Sequence, residues 1–317
     1  MRLTDRFLVV FMLGVVFVGC TSKEKKETAN ASNTPTAVAL KDFERPRPPV
    51  MMTDLREQAG YVITHYWDKF DFTDTMYCHA PEITEQAFST FIYHFPFAAS
   101  NKISEGVNKL MDAAEVNEVM YNYFFKTAEK YLYNPNSRMR SDEFYIPFLE
   151  HIVNSTKVLE NSKISPRHLL QLAYRNRIGT KANDVVYTTE SGRSGRLYAI
   201  SAPYVLLIFY NPDCAECRTT IAEIKRTAAV TAAISSGRLK VLAVYPDENT
   251  EIWQKYLNDI PPSWINGYDK SLSIRNNERY DLKAIPTLYL LDENKNVILK
   301  DAFSDQLYEY LERNNIR

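Results

Sequence analysis

Two parts of different class are predicted for this chain, α + α/β overall. An N-terminal helical bundle occupies residues 51–178, and an α/β domain with a sheet of mixed strand direction occupies 180–317. Three observations carry the prediction. Apolar residues in the first part recur at spacings of three and four, the period of a helix with one buried face. After Gly179 short apolar runs alternate with helical stretches and close on a hairpin and a helix, which fits an α/β sheet. At one strand-to-helix junction stands Cys214-Ala215-Glu216-Cys217.

Composition sets the outer bounds. A length of 317 residues allows two domains, and 45% hydrophobic residues with only 9 glycines allow most of the chain to bury a core. Lys+Arg (38) and Asp+Glu (39) nearly cancel, so no overall basic field points to nucleic acid. Four cysteines are too few for a disulfide scaffold in a chain this long.

Residues 1–20 read as an address. Arg2 and Arg6 precede the apolar run Phe7 to Val18, which is too short to span a bilayer but suits a signal-peptide core. Phe17-Val18-Gly19-Cys20 resembles a bacterial lipobox, with Phe17 where leucine is more usual. The resemblance implies lipidation of Cys20, membrane anchoring and a place in the cell envelope, most simply the periplasmic side. The alternative is an ordinary cleaved signal with an incidental cysteine. Residues 21–50, with Lys23-Glu24-Lys25-Lys26-Glu27 and Pro46, Pro48 and Pro49, read as a flexible tether. Such a coil reaches roughly 30 Å.

In the bundle, Ile103, Val107, Leu110, Met111 and Ala114 form one stripe, and Met120, Tyr123, Phe124 and Tyr131 carry it onward. Further helical runs are 54–70, 82–95, 142–153 and 167–175, with Ser165-Pro166 as a helix start. Cys78-His79 is a poor nucleophile–base pair because the residues are adjacent, and no second motif offers a metal cage. Cys78 reads as a small buried hydrophobe. A spacer or partner-binding role is the default here.

In the α/β part, 184–189 and 196–200 read as strands around Ser191-Gly192-Arg193-Ser194-Gly195. Strand 204–210, a helix from the cysteine pair to about 234 and strand 239–245 follow. Helical stretches at 251–257 and 272–280 precede strands 287–291 and 297–300, which flank a turn at 292–296. A last helix starts near Ser304.

Cysteines separated by two residues lie close enough for a small disulfide when the segment turns into a helix. There the unpaired N–H groups favour the first thiolate. A lone CxxC is also a zinc spacing, but Ile285-Pro286-Thr287 ahead of a later strand strengthens a redox reading. Arg218 stands where haem attachment needs histidine. The expected chemistry is thiol–disulfide exchange, with no metal and no cofactor.

The run Val205 to Cys217 (VLLIFYNPDCAEC) and the run Tyr280 to Asp292 (YDLKAIPTLYLLD) resemble a thioredoxin-like domain of the TlpA/ResA type. The helical part, with Tyr66-Trp67-Asp68-Lys69-Phe70-Asp71-Phe72, resembles a domain of unknown function that precedes such domains in bacterial lipoproteins. The resemblance implies that Cys214 is the nucleophile and Cys217 the resolving thiol. It implies a cis Pro286 that exposes the Ile285 backbone to substrate. It further implies protein thiols and disulfides as substrates, and an upstream thiol electron donor.

The chain also departs from that pattern. Asp213 replaces a tryptophan many relatives carry, Ile208 stands where thioredoxins bury an acid, and Thr220 where TlpA-type proteins often carry glutamate. Asp213 and Glu216 place negative charge near Cys214 and oppose its thiolate. That stabilises the disulfide and lowers the reduction potential, favouring a reductant or isomerase over an oxidant. The competing reading is a binding lipoprotein in which the second domain is a non-catalytic scaffold.

Overall fold

In this computed structural model, residues 40–317 are described. The expected signal peptide, Cys20 and most of the expected tether lie outside the described residues. Six helices build the first part: α1 (Leu55–His65), α2 (Thr84–Tyr93), α3 (Ser100–Ala114), α4 (Glu118–Ala128), α5 (Asp142–Asn154) and α6 (Ile164–Tyr174). Asp54 and Asn117 cap α1 and α4, each accepting a backbone N–H of the first turn. The predicted stripe supplies the buried face of α3 and, through Met120 and Phe124, of α4, with Val107, Leu110, Met111 and Phe124 fully enclosed; Tyr123 is only partly covered, and Tyr131 is partly covered on the turn beyond α4. Aromatic rings fill much of this core, Trp67 packing edge-on against Phe70, Phe91 and Phe124. Phe43, inside the stretch read as tether, stacks on Trp67 with centroids 5.4 Å apart. At Gly106 a Cβ would lie 2.8 Å from the Ile63 carbonyl oxygen, so α1 and α3 approach through a bare backbone.

The second part is a seven-stranded sheet. Its strands are β1 (Val186–Thr188), β2 (Ser194–Arg196), β3 (Tyr204–Phe209), β4 (Leu239–Tyr245), β5 (Ile265–Tyr268), β6 (Thr287–Asp292) and β7 (Val297–Leu299). The order is β2-β1-β5-β4-β3-β6-β7. β3 runs parallel to β4 and β4 to β5, while β6 is antiparallel to β3. The remaining helices are α7 (Ala215–Arg226), α8 (Ala228–Ser235), α9 (Thr250–Lys255), α10 (Ser273–Asn276) and α11 (Ser304–Arg313). Leu206 and Ile208 join a core with Ile221, Ile224, Leu307 and Leu311 of α7 and α11. Val205, Leu207 and Phe209 face Val185, Leu197 and Tyr289 on the other side. Burial on both faces explains why β3 reads as a continuous apolar run.

Several expected elements change shape. The helix expected from the cysteines to 234 breaks at Thr227, whose backbone is extended. The strand expected at 196–200 gives way to a 3-10 turn, Leu197–Ala199. The helix expected at 272–280 shrinks to the single turn α10. β5 lies in a stretch for which no element was expected, and its Asn266-Gly267 is a dipeptide typical of turns. Both are needed there. The Asn266 side-chain oxygen Oδ1 accepts from Tyr210 OH (2.9 Å) and Trp253 Nε1 (3.2 Å), and a Cβ at Gly267 would meet the Thr188 backbone carbonyl at 2.9 Å.

Candidate active site

The antiparallel register of β3 and β6 pairs Phe209 with Thr287. It therefore sets the loop after β3 beside the residues before β6, at the carboxyl edge of the parallel strands where α/β sheets bind ligands. Asn211 shapes that loop: its side chain accepts from Asp213 N–H (2.9 Å) and donates to Asp247 (3.1 Å), and its carbonyl accepts from Cys214 N–H (3.0 Å). The chain then enters α7 with Cys214 as N-cap.

Cys214 is half-buried and Cys217 fully buried, and both are free thiols. The Cys214 sulfur accepts the Cys217 N–H (3.5 Å), and its thiol donates to the Ile285 carbonyl (3.5 Å). The Ile285–Pro286 peptide is cis. The structure thus brings Cys214, Cys217, Ile285 and Pro286 together. Burial pushes the Cys217 thiol well above its ordinary range, although its sulfur accepts the Asn211 N–H at 3.4 Å. Ile208 and Thr220 are buried nearby, while Asp213 and Glu216 are exposed.

Residues 203–297 match a family described as thioredoxin-like, and residues 19–176 match a domain of unknown function (DUF5106). A thioredoxin-like protein from Bacteroides caccae, solved by crystallography, is 43% identical. That match covers 87% of this chain and 99% of that chain at a TM-score of 0.82. The chain belongs to the thioredoxin-like family. A C-terminal domain of an uncharacterized Bacteroides fragilis protein is 47% identical, over 43% of this chain and 98% of that chain, at a TM-score of 0.43. A domain of a possible thiol-disulfide isomerase from Cytophaga hutchinsonii is 25% identical, over 45% of this chain and 95% of that chain, at 0.40. No curated protein matches.

In this thioredoxin-like domain, the segment carrying Ile285 and Pro286 is tied to the helical region by a buried charge cluster. Lys283 Nζ lies 2.6 Å from Asp142 Oδ1 at the start of α5, and 3.5 Å from both Asp281 and Asp301. Lys300 Nζ reaches the other Asp142 oxygen at 2.7 Å, and Arg140 lies 3.3 Å from Asp301. Three carboxylates face three cations. Burial disfavours the Asp142 carboxylate, but Lys283 and Lys300 outweigh it and hold the carboxyl below its ordinary value. Burial wins at Asp281 and Asp301, whose carboxyls are pushed up. Burial opposes the Lys283 charge as well, yet the three aspartates raise its pKa.

Sequence reasoning missed this cluster and Asn211. Asn211-Pro212 after a strand is a turn signal that could have drawn attention to the latter. Cys78 sits on a 3-10 turn, partly buried against the helical core, with its thiol 3.7 Å from Met120 sulfur. Among the described residues, no group of three or more His, Cys, Asp or Glu side chains is placed to hold a metal ion.

Proposed function

We propose that this protein is a membrane-anchored thiol–disulfide oxidoreductase that reduces or isomerises disulfides of extracytoplasmic proteins. One arrangement supports the reading: a half-buried Cys214 thiol at a helix start, 3.5 Å from the carbonyl that precedes cis-Pro286, with Cys217 buried behind it. Cys214 thiolate attacks one sulfur of a substrate disulfide, and the other sulfur leaves and takes up a proton. Cys217 then loses its proton and attacks the Cys214 sulfur of the mixed disulfide. The second substrate sulfur leaves as a thiol. Substrate has gained two electrons, the protein holds the Cys214–Cys217 disulfide, and a dithiol donor returns the pair to its reduced form. The negative charge of Asp213 and Glu216 beside the pair favours the reducing direction. Lipid on Cys20 would hold the chain at the envelope membrane, since several acyl chains anchor stably where one does not.

Trapping tests the chemistry. Cys217→Ser should accumulate mixed disulfides through Cys214 in cells, and Cys214→Ser/Cys217→Ser none. No trap, together with a pair inert to reductant, would instead support the scaffold reading.

A further inference from the structure

A groove of about 640 Å³ runs past Ile285 and Pro286. One wall is a single face of α7, carrying Glu216, Thr220 and Glu223 at helical spacing. The other comes from the helical region, through Pro135, Asn136 and Arg138. That second wall is held in place, since Arg138 pairs with Asp305, and Arg138 and Arg140 lie 4.2 and 3.6 Å from the Phe303 ring centre. Asp305 neutralises Arg138, whereas Glu216 and Glu223 are exposed and form no ion pair among the described residues. The α7 wall is therefore anionic without compensation.

Resting on the oxidoreductase reading, we infer that the helical region completes a substrate channel. Its occupant is an extended polypeptide with Lys or Arg within a few residues of the cysteine under attack. A polypeptide fits better than a small disulfide, because only an extended occupant can reach from the cysteines into this groove, which Ile285, Pro286 and Glu216 line but neither cysteine does. It shares Arg138, Arg140, Asp301 and Ala302 with a second cavity of about 420 Å³, which Tyr93, Phe97, Met139 and Phe144 also line.

The test uses the full-length chain and two synthetic peptide disulfides, identical except for Arg or Glu beside the cysteine, with hydroxyethyl disulfide as a substrate too small for the groove. The Arg peptide should be reduced roughly fivefold faster (as kcat/KM) at low salt, which corresponds to one or two exposed charge pairs. The ratio should fall toward one at 1 M salt, where charges are screened over about 3 Å. Glu223→Gln should lower the ratio. Arg138→Ala should raise it, because Asp305 then faces the groove unpaired. Equal rates for the two peptides, or a ratio that neither substitution moves, would overturn the channel while hydroxyethyl disulfide reduction upholds the oxidoreductase. Reduction of none of the three substrates would remove both.

Discussion

Lys283→Met tests whether the charge cluster locks the two parts of the chain together. The substitution keeps most of the side-chain stem and removes the ammonium, whose side chain is only 4% exposed. At 2.6 Å from Asp142 and an effective dielectric constant of ~20, the lost attraction is about 6 kcal/mol. Relief of the ammonium's desolvation offsets part of it. Asp142 keeps Lys300 and Asp301 keeps Arg140, but Asp281 loses its only ion-pair partner among the described residues. A buried pair broken in this way costs about 3–5 kcal/mol. Urea unfolding at neutral pH, followed by fluorescence and circular dichroism together, should show that loss in a single transition. Because Lys283 has its folded-state pKa raised, its contribution is complete below the unfolded value of ~10.4 and is lost as pH rises through the folded one. The gap between wild type and variant should therefore hold from neutral pH to about pH 10 and narrow above it. A loss below ~1 kcal/mol would refute the reasoning, since that is what a solvent-exposed pair contributes.

Three further outcomes are expected. Alkylation at neutral pH followed by mass spectrometry should label Cys214 first and leave Cys78 and Cys217 slow, because burial pushes both of those thiols up; fast labelling of Cys217 would mean that the pair opens readily. Gly106→Val should destabilise the chain by about 1–3 kcal/mol or more, by forcing side-chain atoms against the Ile63 carbonyl; an unchanged urea midpoint would show that α1 and α3 can separate freely. Wild type should partition into the detergent phase of Triton X-114 and Cys20→Ser into the aqueous phase, and identical aqueous partitioning of both would remove the lipid anchor.

Much of the fold was legible because burial leaves a period in the sequence. The stripe from Ile103 to Ala114 and the unbroken run of β3 each record how many faces are covered. What failed were elements whose sequence serves a neighbour. Asn266 and Gly267 look like a turn, yet one feeds two aromatic donors and the other makes room for β1. Thr227 and α10 failed for a related reason, since helical propensity over a few residues does not say where tertiary contacts end a helix.

The site divides along the same line. Cys214, Cys217 and Pro286 could be singled out because cysteine pairs and prolines have few other uses at such positions, while Ile285 was named only through the family resemblance, as the residue before Pro286; the β3–β6 register then assembles them from segments 71 residues apart. Arg140, Asp142, Asp281, Lys283, Lys300 and Asp301 are the opposite case. Each is a common charged residue, and singly each reads as solvated surface. Only the meeting of α5 with the segments before β6 and after β7 buries them. Burial also makes their pairing necessary, because a buried charge without a partner costs several kcal/mol. The contacts of the helical region with the sheet domain were invisible for the same reason: its Arg138 and Arg140 meet Phe303, Asp301 and Asp305 only once the other part of the chain is folded beside them.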